Sequence, residues 1–120
     1  MGNFAANIRP YVDAELAAAA RDPAGGFTHL ERAHVLGQAS TRIHVRVHWL
    51  MIKWALRHGN AREFLGQIPR IIGATALTFM GLVPTGNTGG TGVSAVKPMP
   101  IDAELAAIIE RARVERARGD

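Results

Sequence analysis

Apolar and polar positions along the chain form a series of helical segments, which glycine, proline and short polar runs separate. The clearest segment is a C-terminal helix predicted over about 102–118, whose buried stripe comprises Leu105, Ile108, Ile109 and Ala112. The same pattern predicts earlier helices over 13–21, about 27–36, about 44–58, and from about residue 60 onward. The chain is therefore expected to be an all-α protein of about five helices.

The ends of these helices are marked by residues with known capping roles. Gly37 and Gly59 stand where the C-terminal caps of the second and third helices are expected. Asn60 with Glu63 three residues later has the form of a capping box that starts the fourth helix. Pro69 should kink or interrupt that helix before the apolar stretch that follows it.

A weak repeat suggests how the helices pair. Gly25, Leu30 and His34 recur 34 residues later as Gly59, Phe64 and Ile68, which is the tetratricopeptide period. Two hairpins are fewer than such arrays normally contain. We therefore expect one domain over 1–120, built from antiparallel hairpins with tetratricopeptide-like geometry.

The glycine-rich loop 84–100 lies between the fourth and last helices and has no helical pattern. A loop of this length in a short chain is usually functional or disordered. It lacks Walker spacing, and Pro98 and Pro100 stand where a dinucleotide fingerprint needs a helix. We expect it to pack across the helices or to be exchanged across a dimer, and the alternative is an anion site formed with Lys97, Arg42 or Arg46.

Composition excludes several classes of protein. The net charge of +4 comes mainly from scattered arginines, without a like-charged run or interleaved aromatics, which argues against nucleic-acid binding. The absence of cysteine excludes disulfides, thiolate zinc sites and iron–sulfur clusters. The longest apolar run, 71–83, is too short to cross a membrane, and no leader is visible at 1–10. A soluble, cytoplasmic protein without a membrane partner is expected.

Histidine supplies the most suggestive chemistry. Glu31 and His34 are three residues apart on the second predicted helix, and His44 and His48 are four apart on the third. The connection 37–41 is short, so the two helices should be antiparallel neighbours whose polar faces meet. Three imidazoles and a carboxylate suit zinc, iron, copper or nickel better than calcium or magnesium. The spacing is therefore compatible with a transition-metal site.

Other interpretations of the same residues stay open. Thr28 with Glu31 forms a capping box that would commit the Glu31 carboxylate to the start of the helix. The histidines can also form a buried polar network without metal. His29 and His58 lie too far round or along their helices to join the cluster.

Three blocks of sequence together resemble the small bacterial proteins grouped as domain-of-unknown-function family 3703. The blocks are FTHLERAHVLGQ (27–38), HVRVHW (44–49) and GNTGGTGVSAVKPMPI (86–101), and the resemblance covers roughly residues 10 to 110. It implies no established activity, although proximity of such genes to heavy-metal resistance genes favours the metal hypothesis slightly. Gly92 stands where the family commonly has a larger polar residue, which argues against a side-chain role at that position.

Three functional hypotheses follow. The leading one is a small metal-binding protein that uses His34, His44 and His48, with Glu31 as fourth ligand or outer partner. The rival is a non-enzymatic helical-hairpin module that self-associates as a homodimer or grips a protein partner. An enzyme acting on an anionic substrate is the weakest, because no nucleophile with a base beside it is indicated.

Overall fold

The computed structural model describes residues 3–22, 24–79 and 98–119. These ranges contain five helices and no strand: α1 (Phe4–Arg21), α2 (Gly26–Gly37), α3 (Thr41–Arg57), α4 (Ala61–Phe79) and α5 (Ala103–Gly119). The all-α class and the number of helices are confirmed. The tetratricopeptide-like geometry stays a prediction, and residues 84–97 of the glycine-rich loop lie outside the described part of the chain.

Helix α1 begins at Phe4, nine residues before the predicted start, and continues through Pro10. A proline inside a helix costs about 3 kcal/mol, because it removes one hydrogen bond and its ring crowds the preceding turn. Ile8 and Val12 flank it and are fully buried in the core, and burying each such side chain contributes about 1.5–3 kcal/mol. The free energy gained by burying these two side chains therefore offsets the cost of the proline.

The predicted ends of the middle helices are close to the observed ones. Gly59 follows α3 with φ of +65°, a left-handed conformation that glycine adopts without strain. Gly37 is the last residue of α2, and a Cβ built there would lie 2.2 Å from Cγ2 of Ile43. The close approach of α3, rather than the backbone conformation at Gly37, is therefore the reason that glycine is needed there. Pro69 does not interrupt α4, which is helical on both sides of it.

The helices pack around one core. Helix α1 packs against α2 and α5, α2 also packs against α3 and α5, and α3 packs against α4. The core cluster contains apolar residues from four of these helices: Ile8, Val12, Leu30, Ala33, Val35, Leu36, Ile43, Val47, Met51, Leu105 and Ala112. The predicted stripe of α5 is confirmed, since Leu105 and Ala112 are buried and Ile108 and Ile109 pack against the cluster. Helix α2 therefore lies in the middle of the molecule.

Two polar contacts attach α5 and α1 to this core. Asn7 of α1 donates from Nδ2 to the carbonyl oxygen of Ala112 at 2.8 Å. Arg32 of α2 donates from Nε to Glu15 of α1 at 2.9 Å and from Nη2 to Glu104 of α5. Within the described ranges, no helix combines the length and the apolar character that crossing a membrane requires.

Candidate metal centre

Three histidines from two helices meet at the closed end of the α2–α3 hairpin. His34 belongs to the last turn of α2, and His44 and His48 belong to the first half of α3. Nε2 of His34 lies 2.9 Å from Nε2 of His44 and 3.1 Å from Nε2 of His48. One potential ligand atom from each of the three lies within 4.8 Å of the other two. The three imidazoles that the helical spacing placed near one another therefore do lie together.

The cluster is closed to solvent. His34, His44 and His48 are 2%, 4% and 3% exposed. The ring of His34 stands nearly perpendicular to the other two, with centroids 4.6 and 4.7 Å away. Its Nε2 lies within hydrogen-bond distance of Nε2 of both neighbours.

This arrangement creates a conflict of hydrogen bonding at His34. A neutral imidazole nitrogen carries either one hydrogen or one lone pair, so it makes one full hydrogen bond. Nε2 of His34 nevertheless contacts two other Nε2 atoms at hydrogen-bond distance. A cation that accepts a lone pair from each of the three nitrogens removes this conflict.

Burial keeps the rings neutral, as metal ligands must be. Burial is the larger cause and the electrostatic effect of nearby His48 the smaller one, and together they lower the pKa of His44 to about 3. Burial also lowers the pKa of His48 and outweighs the opposing hydrogen bond from Gln67. Arg70 lowers the pKa of His48 as well, whereas Glu63 raises it. Both rings therefore carry an available lone pair at neutral pH.

Helix α4 adds two buried polar residues that the sequence argument did not place at the site. Nδ1 of His48 lies 2.5 Å from Oε1 of Gln67, and Nε2 of Gln67 donates to Oε2 of Glu63. Gln67 is fully buried and Glu63 nearly so. Glu63 and Gln67 are four residues apart on one face of α4, but this spacing gives no indication that the face is turned toward His48.

The expected cap of α4 is present in part. Oδ1 of Asn60 accepts a hydrogen bond of 2.9 Å from the backbone N–H of Glu63. The Glu63 carboxylate accepts from Gln67, one turn further along the helix. Glu63 thus contributes its backbone to the cap and its side chain to the histidine cluster.

Glu31 is half-buried on α2, and the group of three or more potential ligands found among the described residues does not include it. The alternative in which Thr28 and Glu31 form a capping box is wrong. Helix α2 begins at Gly26 after an N-cap at Gly25, so Thr28 already lies within the helix. An earlier start moves both residues past the positions that a capping box requires.

The other two histidines lie elsewhere, as predicted. Nδ1 of His29 is 2.8 Å from Oε1 of Glu15. His58 stacks on the indole of Trp54, with centroids 4.2 Å apart, and its Nδ1 donates to the carbonyl oxygen of Trp54 at 2.8 Å. Each has its own structural contact, which makes both useful controls for the cluster.

The alternative anion site at the loop stays a prediction, because residues 84–97 of the loop lie outside the described residues. Arg46 pairs on the surface with Asp13 of α1 at 3.3 Å. Lys97 lies outside the described residues.

The fold and the site together define a small all-helical protein with a buried three-histidine cluster between its hairpin helices. Residues 5–109 match the family described as protein of unknown function (DUF3703), and the chain belongs to that family. No curated protein and no solved structure shows significant similarity to the chain.

Proposed function

We propose that this protein binds a transition-metal ion through Nε2 of His34, His44 and His48. The observation that carries the proposal is the meeting of three buried Nε2 atoms at one point, with His34 within hydrogen-bond distance of both others. A bound cation satisfies all three lone pairs, whereas hydrogen bonds between the rings cannot.

The distances suit a small ion with modest adjustment. A tetrahedral ion about 2.0–2.1 Å from each imidazole nitrogen separates those nitrogens by about 3.3–3.4 Å. Nε2 of His34 lies 2.9 Å from that of His44 and 3.1 Å from that of His48, so each of these two pairs needs to separate by only a few tenths of an ångström to accommodate the ion. Calcium and magnesium prefer oxygen ligands, and neutral imidazoles favour zinc, copper, nickel or iron.

Glu31 stays a predicted fourth ligand or outer partner. It is three residues before His34 on α2, and the two side chains share a face of the helix. Three protein ligands with one further position form a site that can also accept water or a small ligand. Glu31→Gln distinguishes the two arrangements, because loss of a direct ligand lowers metal affinity more than loss of an outer contact.

Metal content measured on protein purified without a histidine tag tests the proposal. We expect about one ion per chain, and titration with Co²⁺ should produce the visible absorption bands of a nitrogen-ligated site. His44→Leu with His48→Leu should abolish both signals, since leucine preserves an apolar core while removing the lone pairs. Circular dichroism confirms that this variant is folded.

The matched control is His29→Ala with His58→Ala, which also removes two imidazoles but leaves the cluster intact. It should bind metal as the unaltered protein does. Metal content that is substoichiometric in the unaltered protein and the same in the leucine variant would contradict the proposal.

Self-association is the second candidate function, and exposed apolar side chains on the α3–α4 hairpin favour it. Trp49 and Leu56 of α3 and Leu65 and Ile68 of α4 are between 46% and 63% exposed. A second copy of the chain would bury them. Light scattering over a dilution series should then show a dimer that Leu56→Ser with Leu65→Ser dissociates and the histidine variants leave intact. A monomer at every concentration would exclude this candidate.

A further inference from the structure

Helix α4 reaches the histidine cluster through a chain of two hydrogen bonds, from Glu63 through Gln67 to His48. We infer that Glu63 and Gln67 are positioning residues, which keep the ring hydrogen of His48 on Nδ1 and hold its Nε2 lone pair toward His34 and His44. The inference rests on the proposed function for its purpose, since this is the tautomer in which Nε2 can bind a metal ion.

The carboxylate of Glu63 sets the donor-to-acceptor direction of these two hydrogen bonds. An ionised carboxylate has acceptor atoms only, whereas a glutamine amide has an NH₂ group that donates and an oxygen that accepts. Because Gln67 contacts the Glu63 carboxylate, it must present its NH₂ group there. Its oxygen is then the atom left for the opposite side of the amide.

That oxygen determines the tautomer of His48. Oε1 of Gln67 lies 2.5 Å from Nδ1 of His48 and has no hydrogen to donate. Nδ1 must therefore carry the ring hydrogen and donate it. A neutral ring has one such hydrogen, so Nε2 of His48 carries the lone pair.

The lone pair points into the cluster, because Nε2 of His48 lies 3.1 Å from Nε2 of His34. Metal-binding histidines commonly donate their second nitrogen to a carboxylate or carbonyl, and altering that outer partner typically lowers metal affinity about 10- to 100-fold. Glu63 and Gln67 supply this outer contact from α4, so three helices contribute to the site although two carry the ligands.

The donor-to-acceptor direction of the two hydrogen bonds provides the test. In E63Q the residue at 63 can both donate and accept, so the Gln67 amide is free to turn and present its NH₂ group to Nδ1. His48 then adopts the form with hydrogen on Nε2 in part of the molecules. In the exchange variant E63Q/Q67E the carboxylate contacts His48 directly and the amide donates to it, so Nδ1 again carries the hydrogen.

The experiment is ¹⁵N NMR of the histidine rings in the metal-free protein, followed by Zn²⁺ titration of the same samples. The unaltered protein should show His48 with hydrogen on Nδ1 alone. E63Q should add a population with hydrogen on Nε2 and weaken Zn²⁺ binding about 10- to 100-fold, and E63Q/Q67E should restore both. E104Q removes an exposed carboxylate that pairs with Arg32 and serves as the matched control.

An E63Q protein whose His48 keeps hydrogen on Nδ1 alone would overturn the inference, as would a folded exchange variant that behaves like E63Q. If the exchange variant does not fold, the tautomer of E63Q decides the question. If the tautomers change as expected and no variant binds Zn²⁺, the positioning role stands and metal binding by this cluster fails. The two proposals can therefore fail separately.

Discussion

His44 and His48 are uncharged in the folded protein, whereas histidines in an unfolded chain titrate near pH 6.5. Burial is the main reason, and it lowers the pKa of His44 to about 3 and also lowers that of His48. Below pH 6.5 the unfolded chain binds protons at these positions that the folded protein does not bind. Acid therefore favours unfolding, and the stability from these groups is fully present only above about pH 6.5.

We expect the free energy of unfolding to decrease as the pH is lowered, by about 1.4 kcal/mol per pH unit and per buried histidine. For His44 this decrease should extend from about pH 6.5 to about pH 3. Urea denaturation at several pH values measures it. His44→Leu with His48→Leu should reduce the slope, because it removes both of these buried imidazoles. Equal slopes in the unaltered protein and the leucine variant would contradict this expectation.

The roles of single residues were predictable to different extents. Helical spacing and a short connection were enough to bring His34, His44 and His48 together, because both follow from the geometry of one hairpin. The contact of Gln67 with His48 was not predictable from spacing, since it depends on how α4 is rotated against α3. Glutamine carries no charge and no metal preference that would single it out in a sequence.

At the scale of whole helices, glycine and proline marked some boundaries and misled at others. Gly59 ends its hairpin helix as expected, because a left-handed turn there suits glycine. The continuation of helix through Pro10 and Pro69 was not foreseen. A proline inside a helix raises the free energy of that helix wherever it stands. At Pro10 the burial of Ile8 and Val12 offsets this cost, and that burial is visible only in the packed structure.

The close approach of α3 to the end of α2 leads to a prediction about Gly37. An added Cβ would lie 2.2 Å from Ile43 Cγ2 and 3.6 Å from Val12 Cγ2, so Gly37→Ala forces the helices apart. We expect a loss of about 1–3 kcal/mol in the free energy of unfolding, measured by urea denaturation. Gly73→Ala in α4 is the control, because among the described residues a Cβ there meets nothing within 4 Å and alanine favours helix by about 0.5–1 kcal/mol. A Gly37→Ala protein as stable as the unaltered one would refute the prediction.

At the scale of the molecule, α2 makes two separate sets of polar contacts, one with α1 and α5 and the other with α3. One of its faces presents Arg32, which contacts Glu15 of α1 and Glu104 of α5. Its C-terminal end presents His34 to α3, and through His48 to α4. Helices α1 and α5 thus support the position of α2 without supplying a member of the cluster. This support helps a short chain to hold three imidazoles close together.

The burial of the cluster also has a kinetic consequence. His34, His44 and His48 are nearly inaccessible, so an ion bound there as proposed would enter or leave only when the helices around them separate briefly. Local openings of this kind are rarer where packing is tighter. The residence time of the ion is then governed by how often the α2–α3–α4 unit opens rather than by the strength of the metal–nitrogen bonds alone. If the cluster binds an ion as proposed, slow opening would retain that ion through brief changes in the surrounding concentration.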